Sequence, residues 1–184
     1  MTNRKDILLQ TERLYLRHFY EDDFDNLYLL SSNENVMRFF PEVLDVKQTK
    51  ELLNRIIESY GLYGHCFWAA FLKDSDTFIG MCGLLHQKIN HRVETEIAYR
   101  ILDDYWNQGF ATESAIACKN YAFHQLGKNR VISLIRPDNI PSKRVALKTG
   151  LTLEAKVLFQ EQEHELYSLN NHTELNKKYK DLER

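Results

Sequence analysis

The chain has 184 residues, of which 24 are basic and 26 are acidic. This length fits one domain with a substantial core, and the balanced charge excludes a strongly basic nucleic-acid-binding protein. No apolar run is long enough to span a bilayer, and the first residues lack the apolar core of a signal peptide. We therefore expect a single cytoplasmic domain over residues 1–184, with its core at about 7–170 and a charged tail at 171–184.

The three cysteines, Cys66, Cys82 and Cys118, are odd in number and widely spaced in apolar surroundings. This pattern predicts buried, reduced thiols. None of the seven histidines falls in a metal-ligand spacing, and neither HExxH nor paired CxxC occurs. We therefore predict no metal site.

The hydrophobic pattern predicts strands and helices in a mixed order, without repeats or linkers. Strands are expected where apolar residues alternate or run together, at residues 7–18, 66–72, 78–85, 94–102, 131–135, 151–159 and 164–169. Helices are expected where apolar residues recur at helical spacing, at residues 21–30, 47–60, 111–126 and 141–149. Residues 36–41 fit either a short helix or a loop. The fold class predicted is α+β.

One segment, residues 105–114, joins a predicted strand to a predicted helix through a turn that contains Gly109. Such a turn leaves the first N–H groups of the helix unpaired beside the positive end of its dipole, which favours an anion such as phosphate. An ordinary turn in which glycine only supplies an unusual backbone angle fits equally. The residues of the turn alone leave both interpretations open.

Four segments together resemble the GNAT acetyltransferases, in particular the RimJ and RimL branch, which acetylates ribosomal-protein N-termini. They lie in matching order and spacing at residues 11–17, 96–101, 105–113 and 137–146. The resemblance covers about residues 7–170. It implies an α/β/α sandwich in which helices flank a mixed, mostly antiparallel sheet of about seven strands.

The resemblance also implies that acetyl-CoA binds between two splayed strands. The backbone of Tyr99, Arg100 and Ile101 would bind the pantetheine arm, and Asn139 and Ser142 would contact the cofactor near its thiol. The pyrophosphate would lie on a backbone cradle formed by Asn107, Gln108, Gly109, Phe110, Ala111 and Thr112. Trp106 stands where the general family pattern has Arg or Gln, so that side-chain contact is lost while the backbone cradle remains.

The implied reaction is direct attack of a neutral amine on the thioester, which needs a base, an oxyanion donor and an acid. The Ile101 N–H is the expected oxyanion donor. Ala146 occupies the position of the family's tyrosine acid, so Ser142 is expected to replace it, unless its hydroxyl only caps the helix. Glu96 and Glu161 compete as general base. Glu96 could instead pair with a neighbouring arginine, and Glu161 could belong to a solvated acidic turn.

The acceptor is expected to be a protein N-terminal amine of the ribosomal-protein type. An α-amine titrates about 2.5 units below a lysine, so its neutral form costs roughly 3 kcal/mol less at pH 7. Alternatives are a small amine such as a polyamine or aminoglycoside, and a non-catalytic acyl-CoA-binding module. An open sheet edge could pair with a second copy, which makes a homodimer a further hypothesis.

Overall fold

A computed structural model describes residues 6–171, so most of the predicted tail lies outside the described residues. Eight strands form one sheet. They are β1 (Ile7–Gln10), β2 (Leu14–Arg17), β3 (Phe67–Leu72), β4 (Phe78–Ile89), β5 (Arg92–Ile101), β6 (Arg130–Ile135), β7 (Thr152–Phe159) and β8 (Gln162–Asn170). The helices are α1 (Phe24–Ser31), α2 (Glu34–Met37), α3 (Val46–Tyr63), α4 (Phe110–His124) and α5 (Ile140–Thr149). Single 3-10 turns lie at Glu21–Asp23 and Asp103–Tyr105.

The sheet order is β1-β2-β3-β4-β5-β6-β8-β7. Every neighbouring pair is antiparallel except β5 with β6, which is parallel. The mixed, mostly antiparallel α+β prediction is confirmed, but the count of about seven strands was low by one. The strand expected at residues 7–18 is two strands, because the Thr11 N–H donates to the Leu14 carbonyl and the Thr11 hydroxyl accepts the Leu14 N–H, both at 2.9 Å. These bonds turn the chain back on itself.

Some element boundaries differ from the sequence prediction, most clearly those of α3 and β4. Helix α3 continues through Gly61 and ends at Gly64, whose φ of 75° forms the cap. Strand β4 extends past residue 85, because the turn at Asn90 and His91 pairs it with β5 over its whole length. The open choice at residues 36–41 resolves into the end of α2, which Asn33 caps, followed by a loop.

Two helical layers cover the sheet. Helices α1 and α3 pack on one face, and α4 and α5 pack on the other. A face of small residues on α4 allows a close approach to the sheet: Cys118 Sγ lies 3.4 Å from Cys82 Sγ on β4. All three cysteines are buried and free. Within the described range no helix is long and apolar enough to cross a membrane.

Candidate functional site

Strands β5 and β6 separate towards their C-terminal ends. Their register pairs only Glu96 with Ile132. Beyond this point side chains replace the ladder: Ser133 Oγ donates to the Ile97 carbonyl at 2.8 Å, and the Leu134 N–H donates to the Glu96 carboxylate at 3.3 Å. We call the opening beyond these bonds the β5–β6 gap. Backbone groups that line such a gap lack a strand partner and can bind an extended ligand.

Alternation along β5 decides which backbone groups face this gap. In an antiparallel ladder successive residues direct their N–H and C=O to opposite sides. The Leu102 N–H donates to a β4 carbonyl at 2.9 Å, so the Arg100 backbone also faces β4. Tyr99 and Ile101 therefore face the gap, and the Ile101 carbonyl accepts the Trp106 indole N–H at 2.7 Å. Of the three residues expected to bind pantetheine through their backbone, Tyr99 and Ile101 have backbone groups that face the gap; the expectation is wrong for Arg100, because its backbone pairs with β4.

The turn before α4 has the geometry of an anion site. Asn107 and Gly109 have φ values of 61° and 86°, and α4 begins at Gly109 without a side-chain cap. The first backbone bond runs from the Glu113 N–H to the Gly109 carbonyl at 3.0 Å. In the described part of the chain no acceptor is found for the N–H groups of residues 109–112. These donors lie at the positive end of a 15-residue helix and suit a phosphate.

The β1–β2 turn holds this loop in place. The Glu113 carboxylate accepts hydrogen bonds from the Thr11 hydroxyl and from the Arg13 N–H and Nε, the latter two both at 2.8 Å. Arg13 also donates to the Gln108 carbonyl at 3.0 Å. Burial raises the pKa of Glu113, but the bonds from Thr11 and Arg13 outweigh it and leave this pKa below its usual value. Glu113 therefore stays ionised, and two of the segments that carried the resemblance meet around it.

The first turn of α5 closes the other side of the gap. Asn139 Oδ1 accepts the Ser142 N–H at 3.2 Å, so Asn139 is the helix cap. The Tyr99 hydroxyl donates to the Ser142 carbonyl at 2.9 Å and joins α5 to β5. The Ser142 hydroxyl has no hydrogen-bond partner among the described residues, so the capping role weighed for it belongs to Asn139. Ala146, in place of the expected tyrosine, is buried in the core.

Glu96 combines deep burial with two hydrogen bonds. Its side chain accepts from Gln87 Nε2 at 2.7 Å and from the Leu134 N–H, and the residue is 7% exposed. Burial raises the pKa of Glu96 to about 7, although Gln87, Leu134 and Arg100 act in the lowering direction. A carboxylate with such a pKa can accept and return a proton at neutral pH.

The arginine pairing considered for Glu96 is formed instead by its neighbour Glu94. Arg130 Nε lies 3.2 Å from the Glu94 carboxylate, and residues 6–171 contain no ion pair of Glu96. The alternation along β5 places both carboxylates on one face. Their environments separate them: Glu94 has a cation beside it, and Glu96 has only neutral donors in contact.

Glu161 lies apart from Glu96, in the tip of the β7–β8 hairpin. Gln160 and Glu161 form this turn with φ values of 48° and 62°, and both are exposed. The acidic residues that follow are engaged by lysines, Glu163 by Lys156 and Glu165 by Lys143. The hairpin extends beyond the end of β6, because Glu165 is already opposite the last residue of that strand.

Helix α2 and the loop after it form a wall beside the C-terminal end of β5. Asp103 accepts the Asn33 and Asn35 side-chain amides at 2.8 and 2.6 Å, which lowers the pKa of Asp103 and ties α2 to the end of β5. This brings Met37 to 3.7 Å from an Arg100 nitrogen.

Sequence reasoning missed two polar side chains of this site, Gln87 and the guanidinium of Arg100. The only signal in the sequence was that both residues occupy alternating positions of their strands that point to the face carrying Glu96. This signal becomes informative only once the β4–β5 register is known. No group of three potential metal ligands occurs within residues 6–171.

Comparison with known proteins shows what the chain is similar to. The model of the acetyltransferase (GNAT) domain matches residues 13–152. The Bacillus subtilis (strain 168) protein YkkB is 34% identical over 144 residues, which is 78% of this chain and 84% of that protein. The N-acetyltransferase YnaD of the same organism is 32% identical over 147 residues, covering 79% of this chain and 83% of YnaD.

Solved structures share the fold at low identity. RimL, the ribosomal L7/L12 alpha-N-protein acetyltransferase in complex with coenzyme A, superimposes with a TM-score of 0.76 at 19% identity, over 90% of this chain and 98% of that one. The aminoglycoside acetyltransferase AAC(6')-Ib in complex with coenzyme A has a TM-score of 0.75 at 12% identity, over 90% and 99%. Both an enzyme for protein N-termini and one for a small amine therefore share this architecture.

Proposed function

Since the chain belongs to the GNAT acetyltransferase family and is an acetyltransferase, we propose that it moves the acetyl group of acetyl-CoA to the N-terminal α-amine of a protein. The family uses acetyl-CoA as its donor. The features that support this donor here are the uncapped N–H groups of residues 109–112 and the Tyr99 and Ile101 backbone along the gap. Together they offer donors for a pyrophosphate and a strand edge for a pantetheine amide chain.

Glu96 is the general base of this proposal. Five residues separate it from Ile101, which is about 16 Å along an extended strand. A base at Glu96 and an oxyanion donor at the Ile101 N–H therefore require a chain of several water molecules between them. The amine nitrogen attacks the thioester carbon, and its proton passes along this chain to Glu96. The C–S bond then breaks, and the thiolate takes a proton from the Ser142 hydroxyl as that hydroxyl takes one from solvent water; no other group in the described range engages this hydroxyl.

The lower basicity of an α-amine favours it as acceptor. The observation that carries the proposal is the buried Glu96 carboxylate, held beside the β5–β6 gap by Gln87 and the Leu134 N–H. A protein α-amine titrates at about 7.7 to 8.0, roughly one unit above the value of about 7 for Glu96. Proton transfer to Glu96 then costs about 1 kcal/mol. A lysine or polyamine amine titrates near 10.4, and the same transfer costs about 5 kcal/mol. A small amine remains the second candidate, because the aminoglycoside enzyme shares the fold.

A panel of acceptors, followed by release of the coenzyme A thiol, tests the proposal. It contains N-terminal peptides, the same peptides with a blocked α-amine and a free lysine, polyamines and aminoglycosides. We expect release with free α-amines and a loss of at least tenfold when only a lysine is free. Turnover on polyamines or aminoglycosides alone would show that the acceptor is a small amine. Acetyl-CoA binding without turnover on any amine would support the non-catalytic alternative.

Two predictions from the sequence stay predictions. The chain is proposed to work in the cytoplasm, which the three free cysteines support. A homodimer is proposed through an edge strand, and β7, whose Leu153 and Leu158 are exposed, is the edge that supports it.

A further inference from the structure

Two arginines of the sheet differ in how their charge is balanced. Arg17 is 6% exposed, and Asp23 accepts two of its N–H groups at 2.6 and 2.8 Å. Arg100 has no carboxylate within ion-pair distance among the described residues. Its one polar contact there is with Met37 Sδ at 3.7 Å. Burial lowers the pKa of Arg100 to about 10, so it still carries a charge at neutral pH. Arg100 is half-buried, and a partly desolvated cation without a counter-charge is stabilised when an anion joins it.

Aromatic rings fix the position of this guanidinium. It lies over the Phe40 ring at 3.9 Å from the centroid, with the Phe67 ring at 5.8 Å. A planar guanidinium stacked on a ring keeps its N–H groups directed outward in its own plane. Two of these N–H groups can donate to the two oxygens of one carboxylate. The stacking therefore presents Arg100 as an oriented donor without satisfying its hydrogen bonds.

Glu96 does not serve as the missing anion. Arg100 lies four residues further along the same face of β5, which is about 13 Å of extended strand. Both Glu96 oxygens are engaged elsewhere, by Gln87 and by Leu134. The charges of Arg100 and Glu96 influence each other at a distance without forming an ion pair.

The position of Arg100 relative to the β5–β6 gap indicates its partner. Tyr99 and Ile101, on either side of it, are the residues whose backbone faces the gap where the donor is proposed to lie. Because side chains alternate along a strand, Arg100 extends from the face that carries Glu96 and the wall formed by α2. Arg100 therefore places a cation on the proposed acceptor face, one position along β5 from Tyr99 and from Ile101.

We propose that Arg100 binds a carboxylate of the acceptor, so that the preferred substrates are primary amines carrying a carboxylate close to the amine. This inference rests on the proposed function and names the acceptor more closely. Two sources supply this chemistry: an acidic side chain beside the N-terminus of a protein, and the carboxylate of a free amino acid.

Matched acceptor pairs test the inference by thiol release. One pair is a peptide with Asp or Asn at its second position, and the other is an amino acid and its amide. We expect the wild-type protein to prefer the carboxylate member of at least one pair by about tenfold or more in kcat/KM, the size of a charged hydrogen bond. The pair that shows the preference identifies the source. Arg100→Gln should abolish the preference, and Arg100→Lys should retain part of it.

The preference is a ratio within one protein, so a general loss of activity or folding cancels. Arg92→Gln is the matched control, because Arg92 is exposed at the start of the same strand. It should keep the wild-type ratio. Equal turnover of both members of each pair by the wild type, or a preference that survives in Arg100→Gln, would overturn the inference while acetylation itself stands. Absence of turnover on every amine would instead refute the proposed function.

Discussion

The two sides of the β5–β6 gap offer different kinds of chemical group: backbone groups on one side and side chains on the other. On the proposed donor side, uncapped N–H groups of residues 109–112 and the Tyr99 and Ile101 backbone are available for binding. On the proposed acceptor side, the available groups are the side chains of Glu96 and Arg100, each held by neighbours on other elements. A site made of backbone groups depends less on which side chains are present. A site made of side chains depends on the register of three strands. The residues of the proposed acceptor side can therefore change while the backbone groups of the proposed donor side remain.

The largest effect is expected from Glu96→Gln, which removes the proposed base and leaves the donor side intact. The kcat should fall by roughly 10²- to 10⁴-fold, the usual contribution of a general base, while coenzyme A affinity stays near wild type. Thiol release and calorimetric titration measure the two quantities. Glu94→Gln on the same face is the control and should lose little activity. A large loss in Glu161→Gln together with a small one in Glu96→Gln would assign the base to Glu161.

The same variant should be more stable than wild type above neutral pH. The folded pKa of Glu96 is about 7, above the ordinary 4.5, so wild type loses stability as pH rises from 4.5 through 7. At pH 8 this loss is roughly 3 kcal/mol, which glutamine avoids. The melting temperature of Glu96→Gln should therefore exceed that of wild type by about 6–12 °C at pH 8 and much less at pH 4.5. An equal difference at both pH values would contradict the pKa.

Gly109→Ala tests the donor side. An alanine at φ 86° is strained by about 1–2 kcal/mol, although only Arg13 Nη2, at 3.4 Å, lies near the new Cβ. The Kd for coenzyme A should rise about tenfold as the cradle relaxes. The control is Gly61→Ala, a helical position in α3 with open space, which should leave affinity unchanged and raise stability slightly. Unchanged affinity in a folded Gly109→Ala would show that the cradle does not need this conformation.

Gln87→Leu tests whether Gln87 sets the pKa of Glu96 while the Glu96 carboxylate itself is retained. The groups facing its carboxylate are Gln87 on β4, the Leu134 N–H on β6 and, at longer range, Arg100 on β5. Loss of the Gln87 bond to the charged form should raise the pKa of Glu96 further. The midpoint of the kcat profile should move up by about one pH unit, with a similar plateau at high pH. Lys88→Gln, at the adjacent exposed position, should leave the midpoint in place. A wild-type midpoint in Gln87→Leu would refute the coupling.

The smallest effect distinguishes two neighbours on α5. Asn139→Ala should lower the free energy of unfolding by about 1 kcal/mol, because it removes the helix cap. Ser142→Ala should leave stability unchanged and lower kcat, because its hydroxyl is proposed as the acid. Thermal melts and single-turnover rates compare the two. A destabilised Ser142→Ala with normal kcat would return Ser142 to a structural role.

Local patterns predicted most of the strands and helices, because the spacing of apolar residues in each element can be recognised from consecutive residues. They failed where long-range pairing decided the outcome. The break of the first strand needs Thr11 to meet Leu14 across a turn, and the extension of β4 needs β5 beside it. The acid–base candidate Glu96 was predictable, but its separation from Glu94 was not, because Arg130 lies on another strand.

The sequence by itself determined the family and predicted the proposed donor side, since four ordered segments and one uncapped helix start are local features. The proposed acceptor side rests on the tertiary structure. Burial, a β4 amide and a β6 N–H shift the pKa of Glu96, and the lack of a counter-charge beside Arg100 among residues 6–171 is visible only when its neighbours in space are known. The solvation and charge balance of a side chain depend on all the groups around it in space, and residues distant in the sequence contribute as much as adjacent residues do.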